Sequence, residues 1–180
     1  MFRIRQTNDR QRHTNGRFAP DPARAAALRA SAPPPPGVES QSHQIGFTAG
    51  KRAFAARHGH GPVDALQPPS AWDFVERAEI EHAAASEANT QAFLDAYRRQ
   101  WVNEMAAVAV ERGLPLQRIP LFTHEDWIDV VPVPGGWRLL RYEGGESPAY
   151  VQGPTHADPS AALRAGVEHA RFVMRPMSRW

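Results

Sequence analysis

The stretch that decides the fold is WIDVVPVPGGWRLLRY, residues 127–142. Its two halves are rich in β-branched and aromatic residues, with a proline and two glycines between them. The β-branched and aromatic residues favour extended strands, whereas proline and glycine favour the turn that joins two strands. We therefore predict strands at 127–133 and 137–142. A further glycine turn is followed by a third predicted strand at 148–151.

Helical periodicity flanks these strands on both sides. Residues 70–84 begin after two prolines with a capping signal, and residues 87–112 carry an apolar stripe that ends at Gly113. We expect these two helices to pack as an antiparallel pair. After the strands, Asp158-Pro159 predicts the start of one C-terminal helix, in which Gly166 allows a close approach to the sheet.

The predicted fold class is therefore α+β, with an antiparallel helix pair, a small three-stranded antiparallel sheet and one C-terminal helix. The compact domain is predicted to span residues 70–173, with a tail at 174–180. Residues 1–69 have a different character, because they are basic and interrupted by prolines. We predict an extended Pro-rich arm there, with short helices at 21–30 and 48–58 that cannot bury much apolar area alone.

Charge is distributed unevenly along the chain. Residues 1–60 hold ten basic and three acidic residues, giving +7, and residues 61–112 hold four and nine, giving −5. A basic arm ahead of an acidic helical segment indicates contact with an acidic surface. That surface could be nucleic acid, another protein, or the helices of a neighbouring copy of this chain.

Several classes of protein are disfavoured by the composition. The chain has no cysteine, which excludes disulfides and thiolate metal sites. The N-terminal residues lack the apolar core of a secretory signal, and no apolar run is long enough to span a membrane.

Possible catalytic and ligand-binding motifs are weak. GFTAGKR, residues 46–52, resembles a phosphate loop but has one residue too few between its glycines and lacks the Ser or Thr after the lysine. His58, His60 and His124 could bind metal, but their spacing matches no known metal motif, and exposed polar loops are the simpler interpretation. We predict no catalytic residue, no metal site and no cofactor.

Glu104 is the most notable carboxylate, because helical spacing places it beside the apolar stripe of residues 87–112. A lone buried carboxylate costs several kcal/mol, so it needs a cationic partner. We predict a buried structural pair with Arg98, Arg141 or another arginine. A catalytic acid is the alternative.

The arm is expected to bind its partner through basic and aromatic side chains. The predicted partner-binding residues are Arg12, Arg17, Phe18, Phe47, Lys51, Arg52 and Phe54.

The N-terminal residues 10–20, RQRHTNGRFAP, resemble the Asn-Gly-Arg-Phe leaders of many tailed-phage proteins. The resemblance covers about ten residues and implies a phage or prophage origin, where ordered arms bind neighbouring subunits of a particle. It assigns no functional residue elsewhere in the chain.

Together these features favour a non-enzymatic structural or assembly protein, a phage virion component whose arm binds neighbouring subunits present in multiple copies. The expected location is the virion, after synthesis in a bacterial cytoplasm, or otherwise the cytoplasm. One alternative is a nucleic-acid-binding accessory protein that uses the arginine-rich arm. Another is a small hydrolase or toxin with a site near Glu104 or His124.

Overall fold

The computed structural model describes residues 18–30, 34–37, 39–144 and 146–175. This part of the chain contains five α-helices and a four-stranded antiparallel sheet, so the predicted α+β class is confirmed. The helices are α1 (Pro22–Arg29), α2 (Ser40–His58), α3 (Arg77–Ala83), α4 (Glu87–Arg112) and α5 (Pro159–Val173). The strands are β1 (Gln117–Pro120), β2 (Trp127–Val133), β3 (Gly136–Tyr142) and β4 (Ala149–Tyr150).

Helix α4 is the central element of the core, and its bounds are those predicted. The hydroxyl of Ser86 caps the first turn by accepting a hydrogen bond from the Asn89 amide at 3.1 Å. Gly113 ends the helix at φ +64°, a conformation that glycine adopts without strain. The aromatic residues Tyr97 and Trp101 lie fully buried on its inner face.

Helix α2 packs directly on α4 and is much longer than predicted, because it begins at Ser40 rather than at residue 48. A Cβ atom on Gly50 would lie 2.8 Å from Gln100 Cβ and 3.0 Å from the Tyr97 carbonyl oxygen. A Cβ atom on Gly46 would collide with the carbonyl oxygen of Phe93. The two glycines therefore let the backbones of two parallel helices touch, which side chains at these positions would prevent.

The segment predicted as an extended arm contributes to the same core as the rest of the protein. Ala25 of α1 and Ile45 and Phe54 of α2 belong to one buried apolar cluster with Trp101 of α4 and Val130 of β2. The sequence does not reveal this packing, because each short segment is too small to bury an apolar face alone. Residues 1–17 of the predicted arm lie outside the described residues.

The single helix predicted at 70–84 is wrong. A 3₁₀ turn at Ala71–Phe74 is followed by an extended Val75, at φ −99° and ψ 133°, and only then by α3. Glu76 and Glu79 form a reciprocal capping box that starts α3 afresh. The main partner of α4 is consequently α2 and not the predicted antiparallel helix from residues 70–84.

The sheet has the strand order β1-β2-β3-β4, with one more strand than predicted. Gly135, at φ +79°, forms the tight turn between β2 and β3 with Pro134, as the sequence indicated. The sequence does not indicate strand β1, because it is four residues long and ends in proline, which limits it to the edge of a sheet. Asp129 of β2 is almost fully buried and bonded by the Arg118 guanidinium of β1 at 2.9 and 3.0 Å.

Helix α5 covers one face of the sheet, and Gly166 makes the close approach that the sequence predicted. A Cβ atom there would lie 2.8 Å from Ile119 Cδ1 and 3.4 Å from both Leu139 Cδ2 and Val130 Cγ2. Asp158 caps the first turn of α5 through the amides of residues 160 and 161. Helix α5 thus packs across β1, β2 and β3.

The glycine contact between α2 and α4 predicts the effect of adding one methyl group. We expect Gly46→Ala to lower the free energy of unfolding by about 1–3 kcal/mol, because the helices must move apart to admit the methyl group. Urea denaturation measures the difference. Gly59→Ala is the matched control, since a Cβ atom there meets nothing within 4 Å and φ is −84°. Equal stability of Gly46→Ala and wild type would contradict the close packing.

His169 on α5 predicts a pH dependence of stability. Burial, with a smaller contribution from the nearby Arg141 charge, lowers the pKa of His169 below its usual value. The unfolded chain therefore takes up this proton first as pH falls below about 6.5, and the folded state loses stability down to the lowered pKa. We expect His169→Gln to flatten the unfolding free energy between about pH 7.5 and 5.5. Parallel curves for the variant and wild type would contradict the assignment.

Candidate interaction site

Helix α1 lies along the C-terminal half of α4 and is attached mainly by polar contacts. Asp21 caps α1 by accepting from the Arg24 amide at 2.9 Å, and its own amide donates to the Val110 carbonyl oxygen at 3.2 Å. Just before α1, the Phe18 amide donates to the carbonyl oxygen of Gly113. Of the residues of α1, only Ala25 is fully buried. Directional hydrogen bonds, rather than a large apolar face, therefore fix the position of this helix.

Arg24 ties α1 to the turn between β2 and β3. Its guanidinium donates to the carbonyl oxygen of Val133 at 2.9 Å and to that of Gly136, and it lies 4.8 Å from the centre of the Trp137 ring. Burial lowers the pKa of Arg24, against the attraction of Asp21. Two carbonyl dipoles and an aromatic face replace the water that this cation loses.

Arg29, at the other end of α1, binds two carboxylates of α4. Its terminal nitrogens donate to both carboxylate oxygens of Glu111, and its Nε lies 3.5 Å from Glu104 Oε2. The hydrogen bond to Glu111 is the main reason that the pKa of Arg29 is raised, and it lowers the pKa of Glu111 in turn. The i to i+7 spacing of the two glutamates places both on the face of α4 that meets α1.

Glu104 is buried and paired, as predicted, but its partner is neither Arg98 nor Arg141. Its carboxylate accepts from Gln100 Nε2 at 2.8 Å and faces Arg29. Arg98 instead lies near Asp95, and Arg141 binds Glu143. The sequence could not identify Arg29, because the packing of α1 on α4 leaves no periodic signal.

The residues predicted to bind a partner do not form one surface. Phe47 and Phe54 are buried inside the protein at 0% and 8% exposure, since α2 is a core helix. Arg52 forms ion pairs with Glu76 and Glu79, both at 2.9 Å. Lys51 is exposed and Phe18 is half-buried, whereas Arg12 and Arg17 lie outside the described residues.

The glycines that resembled a phosphate loop lie within α2, so this sequence is helical over its whole length and forms no loop. The candidate metal-binding histidines are solvent-exposed: His58 is the last residue of α2, His60 follows the helix, and the His124 side chain is 92% exposed. Among the described residues, no group of three or more His, Cys, Asp or Glu could hold a metal ion.

A cavity of about 410 Å³ lies where α2, α4 and the start of α5 meet. Two arginines, Arg99 and Arg164, and two aspartates, Asp95 and Asp158, line it with opposite formal charges. Asp158 is already engaged as the cap of α5, and Asp95 accepts from Gln91 at 2.7 Å. The cavity is thus a polar cleft with no net formal charge from these four residues.

Across the residues that the structure describes, no helix has the length and apolarity needed to cross a membrane. Comparison with protein-family models, curated proteins and solved structures finds no match to this chain.

The Glu104 contacts predict a structural role for this carboxylate. We expect Glu104→Gln to lower the free energy of unfolding by about 1–3 kcal/mol, because Arg29 loses a charged acceptor at a buried position. Thermal and urea unfolding measure this loss. The control Glu111→Gln changes a carboxylate with a 40% exposed side chain and should cost about 0–1 kcal/mol. A Glu104→Gln variant of wild-type stability that lost a measurable turnover would instead identify a catalytic acid.

Proposed function

We propose that this protein is a non-enzymatic assembly subunit whose basic N-terminal segment binds neighbouring copies, and that a tailed-phage particle is its setting. The phage setting rests on the leader resemblance of residues 10–20. The assembly role rests on the positions of opposite charges within one copy.

Acidic residues lie around the start of α4, and the basic N-terminal segment joins the described structure at the other end of this helix. Residues 1–17 contain five arginines and one aspartate, a net charge of +4, and they join the described structure at Phe18, which is bonded to Gly113. Residues 71–90 contain five acidic residues and one arginine, a net charge of −4, and they surround the start of α4. The 26 residues of α4 separate these ends by about 39 Å, at about 1.5 Å per residue.

This separation favours contact between copies. A neighbouring copy can place its acidic end directly beside Phe18, where the basic segment joins, whereas the acidic end of the same copy lies about 39 Å away. Such a contact joins different surfaces of the two copies, and repeated head-to-tail contacts generate rings or filaments. Outside the ion pairs of Arg52 with Glu76 and Glu79, the exposed carboxylates of the acidic end are Asp73, Glu81 and Glu87.

The proposal predicts self-association that depends on salt and on the N-terminal arginines. Sedimentation velocity at low ionic strength should show oligomers that dissociate at about 1 M salt, where the screening length falls to roughly 3 Å. Replacing Arg3, Arg5, Arg10 and Arg12 with glutamine should abolish these oligomers. The control, Arg164→Gln with Arg171→Gln, removes two exposed charges from α5 and should leave association intact.

A wild-type protein that stays monomeric at low salt would overturn the proposal. Tight binding of plain duplex DNA, with an affinity that falls steeply as salt is raised, would favour a nucleic-acid-binding role for the arginines.

A further inference from the structure

The cavity between α2, α4 and the start of α5 has the size of a small-molecule site. Its volume of about 410 Å³ lies within the range of about 300–1,000 Å³ that is usual for ligand pockets. Ala92 and Ala96 of α4 contribute short, buried side chains to its wall, and Ser160 at the start of α5 contributes a hydroxyl group. The cavity thus combines an apolar wall with polar groups, as ligand sites commonly do.

Two arginines from different helices line this cavity, Arg99 from α4 and Arg164 from α5. Both residues are exposed, and within the described part of the chain neither makes a hydrogen bond or an ion pair. A guanidinium group is always charged and offers five donors in a planar fork that matches the oxygens of phosphate and carboxylate groups. Both arginines are therefore available to an anionic ligand.

The two aspartates that line the cavity are already engaged. Asp158 accepts from the amides of residues 160 and 161 at 3.2 and 3.3 Å, at the positive end of the α5 dipole. Asp95 accepts from Gln91 at 2.7 Å and lies 3.8 Å from Arg98. The four formal charges sum to zero, but both aspartates have partners of their own. The charged groups that remain to bind a ligand are the two cations.

We propose that this cavity binds a small phosphate monoester, with Arg99 and Arg164 donating to its phosphoryl oxygens. At pH 7 such a group carries a charge of about −1.5 to −2 and has three strong acceptor oxygens. Two guanidinium groups match this charge better than they match the single charge of a carboxylate. The Ser160 hydroxyl can donate to or accept from a hydroxyl group on the rest of the ligand. The site is separate from the proposed assembly contact, because neither arginine belongs to the N-terminal segment.

Isothermal titration calorimetry of the full-length protein with ribose 5-phosphate and with inorganic phosphate tests the site. At an ionic strength of about 0.15 M, which screens exposed charges, we expect saturable binding of ribose 5-phosphate. Ribose 5-phosphate should bind at least as tightly as inorganic phosphate, because the sugar fits into the rest of the cavity, and ribose alone should not bind. No saturable binding of either phosphate compound up to about 10 mM would overturn the inference. Weaker binding of ribose 5-phosphate than of inorganic phosphate would overturn the assignment of a monoester.

Substitution of the two arginines locates the binding. Arg99→Gln and Arg164→Gln should each weaken the binding of ribose 5-phosphate about tenfold or more, because each removes charged hydrogen-bond donors. The melting temperature should not change, since neither side chain has a partner within the described structure. The matched control is Arg171→Gln, which removes an exposed arginine of α5 that does not line the cavity and should keep wild-type affinity. Wild-type affinity in both Arg99→Gln and Arg164→Gln would overturn the inference.

The four N-terminal arginines of the proposed assembly contact provide the last control. Their replacement with glutamine should leave the affinity for ribose 5-phosphate unchanged, even though it abolishes self-association. Loss of ribose 5-phosphate binding in that variant, with binding retained in Arg99→Gln, would place the phosphate on the N-terminal segment and overturn the cavity site. A protein that stays monomeric at low salt but binds ribose 5-phosphate through Arg99 and Arg164 would support the cavity site and overturn only the assembly role.

Discussion

The contact of α2 with α4 through Gly46 and Gly50 is the constraint on which the rest of the structure depends. Without side chains at these positions, the two backbones approach closely enough for Phe54 to meet Trp101 edge to face, at 6.1 Å between ring centres. One side of α4 is then occupied along its length. Other elements pack against the surfaces of α4 that α2 does not cover.

Two elements use these remaining surfaces in different ways. Helix α5 and the sheet meet through apolar side chains around Gly166, where an added methyl group would lie 2.8 Å from Ile119 Cδ1 and displace the end of that side chain. Helix α1 is held by Arg24 and Arg29, whose partners are carbonyl oxygens and carboxylates. Apolar packing gives the first contact its stability, whereas complementary charges and hydrogen bonds give the second its specificity. The protein thus consists of a tightly packed body and helix α1, which is positioned by specific polar contacts but held by little apolar packing.

The sequence predicted elements well where the signal was local. Helix α4 has a capping serine, a periodic apolar stripe and a terminal glycine, and strands β2 and β3 are joined by a proline-glycine turn. The sequence-based prediction failed for elements whose structure depends on contacts between residues that are far apart in the chain. The residues 40–47 have weak apolar periodicity and become helical because Gly46 fits against α4, and Val75 interrupts a regular pattern because Glu76 starts a new capping box. The partner of Glu104 could not be found for the same reason, since Arg29 lies 75 positions away in the chain.

The proposed assembly role depends on how charge is distributed over this molecule. The body built on α2 and α4 carries acidic residues around the start of α4, and the basic N-terminal segment joins it at the other end of that helix. The central claim is that α1 is a separable element on a stable body, and amide hydrogen exchange measures this most directly. The account predicts that amides of residues 25–30 exchange through opening events of much lower free energy than amides in the middle of α2 and α4. Equal protection of α1, α2 and α4, indicating that all three open only by global unfolding, would contradict it.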